Sequence, residues 1–264
     1  MYKVKDIAEA IERLAPVGLA EKWDNVGLMT GDPEQEVNVI FICLDVTSEN
    51  IRHAIELNAD LIISHHPLIF SPLKNIVEGD VMGSILRTLI KNNISVYSAH
   101  TNLDNADGGM NDVLANKLGL EDVRRFTEEE CRDSFGTPID NIGRIGYLES
   151  PIELEDFKAF VKSILGCRTI RSLGNPTDMI SSVALCTGSG GEGIYSAYHA
   201  GADVYVTSDI KHHEAQLAFE LGINLIDAGH FETENTICEF LKEYLEQIFP
   251  DINIIPSDAQ PYLL

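Results

Sequence analysis

Leu61-Ile62-Ile63-Ser64-His65-His66-Pro67-Leu68-Ile69-Phe70 is the stretch that decides the fold. An apolar run of strand length ends in two adjacent histidines and is cut off by a proline. Proline disfavours the α region for the residue before it, so His66 is expected to lie extended at the mouth of a strand. Two surface histidines in a loop would give the same letters, so the other strand ends have to be read alongside.

Outward from this stretch the chain alternates. Towards the N-terminus, Ser48 to Asn58 reads as a helix and Val37 to Val46 as a Val/Ile/Phe-rich strand; Lys5 to Ala15 is an amphipathic helix stopped by Pro16. Beyond it come a helix carrying Val81, Ile85, Leu86 and Leu89, then a strand from Ile94 to Ala99 that runs into His100-Thr101-Asn102-Leu103-Asp104. After a helix ending near Gly119, the polar segment 121–140, with Gly136 and Pro138, is read as the connection between two halves, 1–120 and 141–264. In the second half strands are expected at Ile142–Leu148, Ser182–Cys186, Asp203–Thr207, Ile223–Asp227 and Ile252–Ile255, with a helix opening at Ser150-Pro151. Strands that alternate with helices imply right-handed crossovers and an α/β fold with mainly parallel, helix-covered sheets. Ligands of such sheets collect beyond the carboxyl ends of the strands.

The two halves superpose as sequences. Cys43 falls opposite Cys186 and Ala59-Asp60 opposite Ala202-Asp203 at one constant displacement. His100 falls opposite His230 and Asp104 opposite Glu234 at a slightly shorter one. Apolar strands precede each matched pair, so duplication is the better account. Histidine and acid four residues apart share one side if the chain turns helically after the strand. The chain thus offers His65, His66, His100, Asp104, His230 and Glu234, all at strand ends. Imidazole and carboxylate without thiolate suit Zn, Mn, Fe, Co or Ni. The number of candidates exceeds the three ligands of a single catalytic zinc and matches the need of two divalent ions.

Together with Trp23-Asp24-Asn25-Val26-Gly27-Leu28, Ser64-His65-His66-Pro67, Ser208-Asp209 through His213 and Gly229-His230 through Glu234, these motifs make the chain resemble the dinuclear-metal-centre hexamer family. Its members are the Ngg-interacting-factor-like proteins often named GTP cyclohydrolase I type 2 homologues. The resemblance spans nearly the whole chain and is to the short form of the family. It implies metal ligation by His65, His66, Asp104, His230 and Glu234, a site between the halves and a homohexamer. It also implies a hydrolase that opens the guanine ring of GTP. His100 is placed at the rim as a proton carrier. A metal-handling or scaffold hexamer without catalysis is the alternative.

The remaining features narrow the class. Forty-two acidic against 19 basic residues give a net charge of -23, which repels phosphate backbones and makes nucleic acid an unlikely partner. A small-molecule substrate, possibly a nucleotide, fits better. No apolar run approaches a membrane span and no signal-peptide pattern opens the chain, while the five cysteines lack C-x-x-C spacing. Reduced thiols in the cytoplasm are expected. Gly188-Ser189-Gly190-Gly191-Glu192-Gly193 matches a dinucleotide fingerprint, although Glu192 would set a negative charge beside the pyrophosphate. Trp23 is expected to anchor packing, Asp24 to support the site or cap its loop, and His212-His213 to lie on a helix surface.

Overall fold

The computed structural model describes residues 1–126 and 142–258. In chain order the first repeat contains β1 (Tyr2–Lys3), α1 (Val4–Leu14), β2 (Gly27–Thr30), β3 (Glu36–Val37), β4 (Val39–Cys43), α2 (Ser48–Glu56), β5 (Leu61–Ser64), α3 (Val81–Lys91), β6 (Ser95–Ser98), α4 (Thr101–Asn105), α5 (Met110–Lys117) and β7 (Glu121–Arg125). The second contains β8 (Arg144–Glu153), α6 (Leu154–Leu165), β9 (Arg171–Leu173), β10 (Met179–Ser189), α7 (Ile194–His199), β11 (Val204–Ser208), α8 (His212–Leu221), β12 (Asn224–Asp227), α9 (His230–Glu234), α10 (Thr236–Ile248) and β13 (Asn253–Pro256). The architecture is mixed α/β with parallel strands at the centre of both large sheets.

Compact grouping departs from the order of the halves. One unit is Met1–Asp107 together with the chain from Ile237 onward; the other is Gly108–Thr236. The described part of the expected connection 121–140 falls within the second of these units, and residues 127–141 lie outside the described residues. Glu121–Arg125, read as polar connection, is an edge strand antiparallel to β8. The closing strand β13 pairs in parallel with β4, from Asn253 opposite Val39 to Pro256 opposite Ile42. The terminal helix and strand of each repeat thus sit in the unit built by the other repeat.

The first unit carries a five-stranded sheet in the order β13-β4-β5-β6-β2, parallel except for β2. The strands β4, β5 and β6 are apolar on both faces because helices cover both. Phe41, Ile62 and Val96 pack with Ile51, Leu86 and Leu89 of α2 and α3. Ile7 and Ile11 of α1 are also buried, as are Leu241 and Leu245 of α10, and the Tyr244 hydroxyl donates to Ala10 O at 2.8 Å.

The second unit carries a six-stranded sheet, β7-β8-β10-β11-β12-β9, whose β10, β11 and β12 are parallel. One face packs Leu185, Val206 and Ile226 against Phe157 and Val161 of α6. The other packs Ala184 and Tyr205 against Ile194 of α7 and Ala218 of α8. The helix expected at Ser150-Pro151 begins instead at Leu154, because Ile152 and Glu153 remain paired with Ile180 and Met179 of β10. Pro151 falls where the register of that ladder shifts, a place a strand tolerates proline.

Hydrogen bonds repeat with the sequence. Asp60 Oδ2 accepts from the amides of Asn38 and Val39 at 2.7 and 3.1 Å; Asp203 Oδ2 accepts from Ser181 and Ser182 at 2.9 and 2.8 Å. Each carboxylate, set just before β5 or β11, holds amides at the neighbouring strand β4 or β10, at matched positions of the two repeats. The antiparallel pairs Tyr2–Val37 and Ile152–Ile180 also correspond.

Candidate metal-binding sites

In the first unit the strand β5 stops at Ser64, whose hydroxyl lies 2.8 Å from that of Ser98 and donates to His66 O at 2.9 Å. These bonds tie the ends of β5 and β6 together and set three imidazoles side by side. The ring centroids of His65, His66 and His100 are 5.1 to 5.7 Å apart. Their nitrogens fall within 4.8 Å of one another, close enough to share an ion. His65 is buried and the other two are partly exposed. Asp104, one turn after His100, places Oδ1 3.6 Å from His65 Nε2.

Each ring has its orientation fixed from behind. His65 Nδ1 donates to Ala99 O at 2.9 Å, His66 Nδ1 to Asp45 Oδ1 at 2.8 Å and His100 Nδ1 to Asp24 Oδ1 at 2.9 Å. A carbonyl or an ionised carboxylate only accepts, so Nδ1 must carry the hydrogen, and in the neutral ring Nε2 presents its lone pair forward. Histidine metal ligands are held in this way. Asp24 also accepts from the Thr101 amide and hydroxyl. Its burial alone would raise the carboxyl pKa, but the hydrogen bonds from His100 and Thr101 outweigh burial and hold it down at about 2.

The second unit repeats half of this arrangement. His230 opens α9 directly after Gly229, whose φ of 93° turns the chain off β12. His230 Nδ1 donates to Asp209 Oδ2 at 2.7 Å, and Nε2 faces Glu234 Oε2 at 3.0 Å. With Nδ1–H given to Asp209, that second contact requires a proton or a cation between nitrogen and carboxylate. Asp209 stands where the first repeat has His66 and holds a left-handed φ of 57°. Asp227 steadies both turns, accepting from Ile210 N at 3.2 Å, from Gly229 N at 3.3 Å and from Arg171.

Sequence reading placed Gly188 in a dinucleotide-like turn and missed the space it leaves for Glu234. A Cβ there would lie 2.1 Å from Glu234 Oε1 and 3.4 Å from His230 Cε1. The matched position of the first repeat is Asp45, the acceptor of His66. One repeat therefore uses this position for a carboxylate behind an imidazole. The other empties it so that Glu234 can enter. The repeat offset was the signal that could have found it.

The rest of the glycine run is closely met by protein groups. A Cβ at Gly190 would lie 2.3 Å from Thr207 Oγ1, at Gly191 2.4 Å from the Glu214 carboxylate and at Gly193 2.4 Å from the Tyr205 hydroxyl. Tyr205 donates to Gly190 O at 2.8 Å. His212 lines a separate cleft of about 370 Å³ with Arg171, Lys211 and Asp227, and His213 lies exposed on α8. Trp23 is 59% exposed and is not a packing anchor; its ring borders Phe70 and His100.

Residues 2–261 match the Duf34/NIF3 (NGG1p interacting factor 3) family. The chain belongs to that family. Among its relatives is a protein of Clostridium perfringens named GTP cyclohydrolase 1 type 2 homolog, 37% identical over 97% of this chain and 96% of the relative. A Clostridium acetobutylicum protein of the same name is 38% identical over 88% of this chain and 85% of its own. Of solved structures, a Staphylococcus aureus protein superposes with a TM-score of 0.90 at 32% identity, covering 100% of this chain and 99% of that one. A Bacillus cereus protein related to NIF3 gives 0.91 at 27% identity over 100% and 99%. As a Duf34/NIF3 protein the chain carries candidate metal-holding imidazoles and carboxylates in both repeats. Among the described residues, no helix is long and apolar enough to cross a membrane.

Proposed function

We propose that this NIF3 protein is a hydrolase dependent on two divalent cations, acting on a nucleotide in the manner suggested by its relatives' name. The proposed ligands are His65, His66 and Asp104 from the first repeat and His230 and Glu234 from the second. The observation that carries the reading is the common setting of the imidazoles. In His65, His66, His100 and His230, Nδ1 is committed to an oxygen behind the ring and Nε2 is turned forward. That donor set of imidazole nitrogens and buried carboxylates suits Zn, Mn, Fe, Co or Ni. When bound, two such ions polarise the bond under attack and acidify water.

The chain's own residues do the rest. Asp45, Asp24 and Asp209 hold three of the rings in one tautomer and strengthen Nε2 as a donor. His100, held by Asp24 and only partly buried, is positioned to pass a proton between the centre and solvent at Nε2. Gly188 leaves the space that the Glu234 carboxylate needs. A homohexamer in the cytoplasm completes the proposal, following the resemblance to the dinuclear-metal-centre family.

The test is metal analysis of protein purified without added metal, followed by GTP turnover in wild type and Glu234→Ala. Bound metal with turnover that collapses in the variant is expected. Metal retained without turnover of any nucleotide would favour a metal-handling protein. Wild-type metal content and turnover in Glu234→Ala would remove that residue from the centre.

A further inference from the structure

We infer that Trp23 and Phe70 form a stacking platform for the planar heteroaromatic ring of the substrate at the lip of the first unit's imidazole cluster. The inference rests on the proposed catalytic reading and names the part of the molecule that would hold the ring.

Two large aromatic side chains stand in water here, Trp23 at 59% and Phe70 at 53% exposure. Isolated exposed apolar residues need no explanation, but these two are neighbours, with ring centroids 5.9 Å apart. Their planes are tilted by 51°, so neither covers the other's face. Trp23 also meets the His100 ring edge-on, with centroids 6.2 Å apart. The platform therefore borders the imidazoles directly.

Its position is set by hydrogen bonds. Trp23 is followed by Asp24, whose carboxylate holds both His100 Nδ1 and Thr101, so one loop fixes the indole and the imidazole together. Asn25 Nδ2 donates to Ile69 O and clips this loop to the one carrying Phe70. The two rings come from segments far apart in sequence, yet a side chain dedicated to the purpose joins them. Rings ordered before binding lose little freedom when a ligand arrives.

An exposed aromatic surface recognises a π face and not a pattern of donors, so it selects planar rings with little preference among them. The chain's net charge of -23 makes stacking more suitable than long-range attraction for a ligand that carries phosphate. The expected order is that purine nucleotides and nucleosides bind, whereas ribose 5-phosphate and inorganic triphosphate do not bind through this lip.

Trp23 is the only tryptophan, so its fluorescence reports this lip alone. The purified full chain is titrated with GTP, ATP, guanosine, ribose 5-phosphate and inorganic triphosphate, and quenching is corrected against free tryptophan. Saturable quenching by the three ring-bearing probes only is expected. Phe70→Ala should weaken their affinity about 5- to 150-fold, the range for loss of one stacked base. By equilibrium dialysis, Trp23→Ala should show a similar loss and Trp23→Phe should retain most binding. Equal quenching by inorganic triphosphate, or unchanged affinity in Phe70→Ala, overturns the inference. So does an oligomer that dissociates in Phe70→Ala while no ring quenches the wild type, which would make these rings an interface between copies. Metal content and GTP turnover on the same samples separate the two readings. Ring-specific quenching without metal or turnover leaves the platform standing and the hydrolase fallen; metal and turnover without quenching do the reverse.

Discussion

Asp112→Ala tests whether the second unit depends on one buried ion pair. Arg144 of β8 is 1% exposed and is the largest fully buried side chain in the described residues. Its Nε and one terminal nitrogen donate to Asp112 of α5 at 2.8 and 3.2 Å, and the other terminal nitrogen donates to Ile142 O at 2.8 Å. Asp112 also accepts from Gly108 N at 2.7 Å. Removing the carboxylate takes two charge-assisted hydrogen bonds from a buried guanidinium, and breaking a buried pair from one side usually costs about 3–5 kcal/mol. The Asp112 side chain keeps 20% exposure, so water softens the loss and the lower end, about 3 kcal/mol, is expected. At about 2–4 °C per kcal/mol this lowers Tm by about 6–12 °C. Far-UV circular dichroism gives the melt, and hydrogen exchange by mass spectrometry locates the loosening in α5 and β8. Asp112→Leu with Arg144→Met removes both charges together and should cost less than Asp112→Ala alone. A single-variant cost under about 1 kcal/mol, or a double variant as damaged as the sum of its parts, would refute the argument.

Gly188→Ala should reduce bound metal per chain while leaving far-UV circular dichroism near wild type, because the added methyl meets Glu234; unchanged metal content would separate Gly188 from the centre. Asp60→Ala and Asp203→Ala should each cost about 1–3 kcal/mol in urea unfolding by stranding two amides at matched positions; a large effect in one and none in the other would break the equivalence. Burial raises the Cys167 thiol to about 11; for Cys238, burial with nearby Asp45 and Glu239 raises it to about 12, so neither should be alkylated in the folded chain at neutral pH. Both values lie above the unfolded thiol's, so this contribution to stability is whole below pH 9 and is lost as pH rises towards them. Peptide mass mapping after iodoacetamide and melts across the alkaline range check both statements.

The sequence revealed the elements whose residues are decided locally. Leu61–Ser64 and Ser95–Ser98 are buried on both faces, and their apolar letters read directly as parallel strands. His100 was legible because the repeat sets His230 opposite it, whereas His65 and His66 stood out by their place between an apolar run and a proline. What stayed hidden depends on partners distant in the chain. Glu121–Arg125 carries a single apolar residue, Val123, and pairing with the edge of β8 makes it a strand. The strands β2 and β9 are short and paired on one side. At Ser150-Pro151 a sound local helix start lost to pairing with β10. The glycines from Gly188 onward resembled a phosphate loop because the letter records a missing side chain without recording what occupies the space.

The exchange of terminal elements between repeats fixes an order of events as the nascent chain leaves the ribosome. The unit of Gly108–Thr236 has all its strands before residue 237 emerges. The unit that begins at Met1 must wait for β13, and until then β4 is an open sheet edge of apolar residues. Such an edge pairs readily with foreign strands. The part translated first is thus completed last, so a ribosome that stalls before Asn253 releases a chain whose earliest sheet is still able to aggregate.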